Sequence, residues 1–270
     1  MADIKKKIKK TLGIIQARTG STRFPRKVLK KVEGKTLLEH CLFRVQKVNF
    51  LNKIVVATTT NKNDDVIVKI CKKIGISYFR GSEKDVLDRY YKCSLQYPEY
   101  ENIVRITSDC PLLDQAVSDE VIRYFFDNKL DYASNVFKKE TFPDGMDTEI
   151  FKKSVLYEAA KKAKLSSERE HLTQYIIKRA KFKKGGVRAP YDWSHFRMTI
   201  DYPEDFKVIK FLIENSRPDA GYVDYIVLLT KNFDIALKNM HIIRNAGLLK
   251  SLEEDKILKK QNETKIHKKQ

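Results

Sequence analysis

No run in this chain approaches the roughly 18 consecutive apolar residues that a bilayer-crossing helix needs, so no membrane span is expected. Cysteine is scarce. Cys41, Cys71, Cys93 and Cys110 are far apart and form no CxxC pair, which suits reduced thiols rather than a disulfide framework. Acidic side chains are short in number too, with 35 Asp and Glu against 54 Lys and Arg and a net charge of +19. Both familiar phosphate-loop signatures are missing. A dinucleotide fingerprint needs three spaced glycines, and the loop after the first apolar run has only Gly20. A P-loop needs glycine five residues before the Gly34-Lys35-Thr36 triplet, and Leu29 stands there. The basic N-terminus is a poor signal peptide, because Arg18 interrupts the apolar run behind it, and the expected location is the cytoplasm.

The charge has two readings. One is an anionic partner: a nucleotide, a nucleic acid or a membrane surface. The other is solvated surface lysine, swollen by the runs 3–10 and 259–270, two polar ends expected to be loose. A nucleic-acid-binding module stays as a rival and predicts binding that collapses with salt. No aromatic RNA-binding signature or zinc finger accompanies the charge, so nucleic acid is not the expected partner.

What the chain does have is rhythm. Residues 12–17, 53–59, 76–79 and 102–107 read as buried strands rich in β-branched residues, and helical periods lie between them. Strand and helix in alternation predict an α/β fold, a mostly parallel sheet with helices on both faces. The rhythm changes after about residue 130. "DYASNVF", "GMDTEIF" and "HFRMTID" (195–201) read as strands, and "KKSVLYEAAKKA" and "SSEREHLTQYIIKRA" as helices. The expected organisation is a basic extension over 1–11 and an α/β domain over 12–215 with an insertion at about 132–195. A helical, lysine-rich tail over 216–270 follows.

The most telling stretch is the loop after the first strand, "ARTGSTRFPRK". Ligands of parallel α/β sheets bind beyond the carboxyl ends of strands. Gly20 and Ser21 there are expected to turn backbone N–H groups inward, beside the fixed charges of Arg18, Arg23 and Lys27. Such an array suits a triphosphate and its departing pyrophosphate. Two aspartates, Asp109 in "TSDCPL" and Asp201 in "TIDYPED", each follow a predicted strand. Each also fits an ordinary role as a helix N-cap or turn residue.

Ala17, Arg18, Gly20, Ser21, Arg23, Pro25 and Lys27 together resemble the opening signature of the sugar-acid cytidylyltransferases. The similarity is greater to the branch involved in spore-coat polysaccharide synthesis. "VVATTTNKNDD", "FRGSEKDVLDRYY", "VRITSDCPLLD", "FPDGMDTEIF", "EREHLTQYI" and "RMTIDYPEDF" extend it in order over about residues 12–215. Phe24 and Arg26 depart from the pattern, standing where Leu and Gly are usual. The resemblance implies a nucleotide-diphospho-sugar transferase fold and a homodimer. It implies that Ala17, Arg18, Gly20, Ser21, Arg23 and Lys27 hold CTP, with Arg18 and Lys27 catalytic and Arg80 near the base. Asp109 and Asp201 would hold Mg²⁺, a hard cation suited to carboxylate and phosphate oxygens. Asp147, Glu149, Arg169 and His171 become the acceptor candidates, Arg169 because a guanidinium binds a carboxylate or phosphate bidentately. The expected reaction is CMP transfer from CTP to an acidic sugar or related small anionic acceptor. A glycosyltransferase of similar architecture is the enzyme alternative, but "TSDCP" lacks the second Asp of a DxD metal motif.

Overall fold

The computed structural model describes residues 10–267. The chain opens with strand β1 (Thr11–Gln16), a loop, and a short hairpin of β2 (Lys31–Val32) and β3 (Lys35–Thr36), from which helix α1 (Leu37–Val45) starts. Then come β4 (Lys53–Thr59), α2 (Asp65–Lys73), β5 (Ser77–Gly81), α3 (Val86–Leu95), β6 (Asn102–Thr107) and α4 (Gln115–Asp127). The following segment supplies β7 (Tyr132–Ser134), β8 (Glu149–Lys152), α5 (Lys153–Lys162), α6 (Ser166–Glu170), α7 (Gln174–Lys178) and β9 (Lys184–Gly186). The last helices are α8 (Pro203–Glu214), α9 (Tyr222–Lys231), α10 (Phe233–Ala236) and α11 (Ala246–His267).

Seven strands form one sheet in the order β5-β4-β1-β6-β8-β7-β9. β5, β4, β1 and β6 are parallel, and β8 runs against both its neighbours. Successive side chains on a strand point to opposite faces, and both faces of this sheet are covered. Ile15, Val56, Val104 and Ile106 enter the core with α1, α2, α4, α8 and α9; Leu12, Ile14, Val55 and Ile103 enter the other with α3, α5 and α7. The segment 132–195 is thus no separate body, because its strands extend the same sheet.

The topology fixes where a ligand can sit. From β1 the chain builds outward to β4 and β5, then returns to place β6 on β1's other side. Gln16 is in register with Thr107, so the loops leaving β1 and β6 diverge from adjacent strand ends. A crevice at such a switch point is the binding site of open parallel sheets.

Three expectations change. Residues 195–201 form no strand; they make a single bridge, Asp144 to Arg197. Their N–H groups bond instead to loop carbonyls, Met198 to Asp144 (2.6 Å) and Ile200 to Asp109 (2.9 Å). The helix expected over 166–180 breaks at His171 (φ −107°, ψ 69°) into α6 and α7. The run at 259–270, expected to be loose, continues α11 to His267, in a stretch with no Gly or Pro after Gly247. Residues 1–9 and 268–270 lie outside the described residues.

Candidate active site

β1 delivers Ala17, buried, to the mouth of the crevice, and the loop that follows is anchored rather than free. Thr19 donates its backbone N–H and its hydroxyl to Asp64 Oδ1 (2.7 and 2.6 Å), and its carbonyl accepts from Ser21 N–H (2.9 Å) and Arg26 N–H (3.1 Å). This corrects one expectation, since the Ser21 N–H is spent inside the loop. The cations that line the crevice from this loop are Arg18, Arg23 and Lys27. Gly20 lies where a Cβ would come within 2.9 Å of Glu83 Oε1, so its small size permits a close approach.

Lys27 opens a single 3-10 turn and is buried at its stem. Its Nζ donates to Asp109 Oδ2 (3.1 Å) and Asp201 Oδ1 (2.8 Å), bringing together three predicted residues from distant parts of the chain. Arg23 donates to the same Asp201 oxygen at 2.7 Å, and Arg197 reaches the other at 3.4 Å. Burial works against the Lys27 charge, yet the two carboxylates outweigh it and raise the pKa. Burial likewise opposes ionisation of Asp201, but Lys27, Arg23 and Arg197 hold it down to about 2. Neither aspartate is a helix cap. Asp114 caps α4, and at the start of α8 the Asp205 carboxylate accepts from the N–H groups of Asp201 (2.8 Å) and Tyr202 (2.9 Å). Both predicted metal ligands are therefore left to face the crevice.

The crevice has two connected chambers. The first, about 480 Å³, is walled by Ala17, Arg18, Ser21, Arg23, Lys27 and Arg89, and Asp109 and Asp201 also line it. The second, about 290 Å³, is walled by Tyr132, Asp144, Asp147, Glu149, Thr173 and Thr199. Gln16, Arg23, Arg105, Asp109, His171 and Asp201 belong to both. One end is rich in cations and the other in carboxylates and hydroxyls, and the Asp109–Lys27–Asp201 cluster lies where they meet.

The four acceptor candidates separate. Asp147, Glu149 and His171 line the second chamber. Asp147 accepts from Arg244 (2.6 Å), and burial raises its pKa against that arginine's pull. Glu149 accepts from Arg105 and from the Tyr132 hydroxyl (2.6 Å). Burial lowers the His171 pKa, so its imidazole is neutral at pH 7. Arg169 lines neither chamber. The carboxylate it grips is internal, that of Asp85 (Nε, 2.8 Å), and it also donates to the Ala160 carbonyl (3.0 Å). Arg80 is spent as well, on the Thr59 carbonyl (2.9 Å), the Asn61 carbonyl (2.8 Å) and Asp65 (2.6 Å), and it lines neither chamber.

Sequence reading passed over several residues that matter here. Arg89, Arg105, Asp144 and Asp205 all sit inside the quoted motifs, but nothing in their spacing marks them out from their neighbours. Asp144 accepts from Arg197 (2.6 Å); burial first, then Asp147 and Asp201, push its pKa up to about 7 although Arg244 and Arg197 oppose. Arg197 in turn grips Asp205 with Nε (2.8 Å) and a terminal nitrogen (3.1 Å), which fixes the segment carrying Asp201. Arg244, Ala246 and Gly247 come from the tail beyond residue 216, whose lysine-rich pattern gave no sign that it reaches the site. No described helix is long and apolar enough to cross a membrane.

This architecture, with a cationic chamber at the switch point of a mainly parallel sheet, is that of a nucleotidyltransferase, and solved structures share it. The CMP:2-keto-3-deoxy-manno-octonic acid synthetase complexed with CTP matches 76% of this chain and 98% of its own, with a TM-score of 0.58 at 16% identity. A cytidylyltransferase from Leptospira borgpetersenii serovar Hardjo-bovis matches far more closely, with a TM-score of 0.81 and 36% identity over 87% of this chain and 99% of that one. The sequence profile of the cytidylyltransferase family matches residues 12–254, and the chain belongs to that family. Among relatives, the spore coat polysaccharide biosynthesis protein SpsF of Bacillus subtilis is 34% identical over 235 residues, 83% of this chain and 96% of its own. An uncharacterized protein of Methanocaldococcus jannaschii is 41% identical over 202 residues, 74% of this chain and 81% of its own.

Proposed function

We propose that this cytidylyltransferase moves CMP from CTP to an oxygen of an acidic sugar or related acceptor, releasing pyrophosphate, for surface polysaccharide or glycan assembly. The observation that carries this reading is the meeting of two unlike chambers at Asp109, Lys27 and Asp201. A triphosphate suits the first chamber, where Arg18, Arg23, Lys27 and Arg89 oppose its charge. A polyhydroxylated acceptor suits the second, where Thr173, Thr199 and carboxylates offer partners for hydroxyl groups. An acceptor carboxylate needs cations, and on the wall common to both chambers Arg23 and Arg105 supply them.

The residues present fit a divalent cation. Two carboxylates from different loops converge on one positive charge, and nucleotide phosphates would complete an oxygen shell. When bound there, Mg²⁺ supplies charge neutralisation at the reacting phosphate and its leaving group. Among the described residues no group of three or more His, Cys, Asp or Glu is arranged to hold a metal ion, so Asp109 and Asp201 would hold it together with the nucleotide's phosphates. The cations of the loop hold the phosphates in line with the acceptor and stabilise charge as pyrophosphate departs. His171 borders both chambers, with Nε2 3.4 Å from the Ser251 hydroxyl, and on this reading it contacts the acceptor.

The same reading makes the enzyme a homodimer through the segment 132–195, which light scattering at assay concentration checks. Function is tested by calorimetry with CTP and by pyrophosphate release from CTP, Mg²⁺ and a panel of acidic and neutral sugars. Turnover confined to acidic sugars supports the proposal. Absence of CTP binding removes the activity, and turnover with neutral sugars alone removes the acceptor class.

A further inference from the structure

Lys27 stands in an unusual place for a phosphate-binding lysine. Its Nζ does not point to open solvent or to the rest of the cationic loop. It lies between the two carboxylates, 3.1 Å from Asp109 Oδ2 and 2.8 Å from Asp201 Oδ1. A divalent ion bound by the same oxygens would sit about 2.0–2.1 Å from each. It would then lie within a few ångströms of the ammonium, in a partly buried site where like charges repel strongly. Asp109 Oδ2 and Asp201 Oδ1 cannot serve both cations at once.

We propose that Lys27 is the resident counter-cation of the Asp109–Asp201 pair, and that it must swing away before a metal ion can bind. The proposal rests on the reading that these aspartates are the metal ligands. The other cations at Asp201 are differently placed. Arg197 is locked by Asp144 and Asp205, and Arg23 touches only the one aspartate. Lysine has a flexible four-carbon stem and a compact charge, so it can change partner where a forked guanidinium held at several points cannot. Its nearest alternative anion is the triphosphate, since Lys27 also lines the first chamber with Arg18, Ser21 and Arg23. Nucleotide phosphates draw the ammonium off the carboxylates, and the metal enters as the lysine leaves. Metal binding is therefore weak in the free enzyme and strengthens once the nucleotide is in place, so a futile metal-loaded, substrate-free state is avoided.

The test is titration of Mn²⁺ alone into the full-length protein without nucleotide, read from the paramagnetic resonance of the free ion. Wild type binds weakly. Lys27→Met binds at least tenfold more tightly, and the gain disappears in Lys27→Met combined with Asp201→Asn. Lys27→Gln serves as a second variant should the methionine disturb folding. Equal Mn²⁺ affinity in wild type and both variants overturns the proposal, as does a gain that survives loss of Asp201. Tight one-to-one binding by wild type alone overturns it too, whether or not either variant folds. CTP calorimetry keeps the two claims apart. If CTP binds and turns over while the Mn²⁺ titrations coincide, only the lysine's role falls; if Mn²⁺ behaves as expected but CTP does not bind, only the activity falls.

Discussion

Asp201 is the most heavily subscribed side chain of the site, accepting from Arg23, Lys27 and Arg197 while Asp205 fixes its backbone. Asp109 and Asp201 cap no helix, so replacing either removes function while costing no more stability than the ion pairs it makes. Asp109→Asn and Asp201→Asn should each lower kcat by about 10²–10³, the scale of losing one preorganised charge at a transition state. Their melting temperatures should stay within a few degrees of wild type, and activity near wild type removes that residue from the reaction. Asp201 also sets a pH dependence. Its folded pKa of about 2 lies below the ordinary value of about 3.9, so the unfolded chain binds its proton first as pH falls. Its stabilising contribution is complete above about pH 5 and is lost as pH drops through about 2. In urea titrations the stability gap between wild type and Asp201→Asn should therefore narrow steadily from pH 5 to pH 2. A gap that is constant with pH contradicts the ion-pair account. Arg26 carries a local cost: it holds φ at +56°, a left-handed conformation that favours glycine over a residue with a side chain.

At the scale of elements, legibility followed hydrogen-bonding partners. β4 and β6 fall on their expected ranges because each is a β-branched run paired on both sides within the sheet. The segment 195–201 has the same apolar alternation but bonds to loops, and alternation alone cannot tell these apart. "GMDTEIF" yields a strand only from Glu149, where pairing with β6 and β7 begins; ahead of it Gly145 sits at φ +102° in a tight crossing. A Cβ there would meet Met198 backbone atoms at 2.5 Å, so Gly145→Ala should cost about 3 kcal/mol in urea unfolding. A cost below about 1 kcal/mol contradicts the crossing. Arg169 was legible as a carboxylate binder but not as to which carboxylate. It ties α6 to Asp85 at the start of α3. Arg169→Ala should thus lose about 1–3 kcal/mol of stability while the acceptor KM stays unchanged. A raised KM with unchanged stability would restore Arg169 to the acceptor site.

Over the whole molecule, the net charge of +19 says little by itself about what the crevice binds. What matters is its local sorting, with cations on the wall of one chamber and carboxylates on the wall of the other. Three cations of the phosphate half, Arg18, Arg23 and Lys27, lie in one contiguous loop and are readable there, whereas Arg89, Arg105 and Lys250 join them from distant elements. The acceptor half was not readable, because it is assembled from β7, β8, the break between α6 and α7, and a tail more than 70 residues further on. The tail lines both chambers with Ala246 and Gly247, adds Lys250, Ser251 and Glu254 to the first, and clips itself to Asp147 through Arg244. On the proposed function, bond cleavage is expected at the α-phosphorus, where the two chambers meet. Phosphorus-31 resonance of CTP, Mg²⁺, enzyme and an acidic sugar tests it most directly. A CMP diester resonance and a pyrophosphate resonance of twice its intensity are expected to grow together; CDP with inorganic phosphate, or CTP left unchanged with every acceptor, would contradict this reaction.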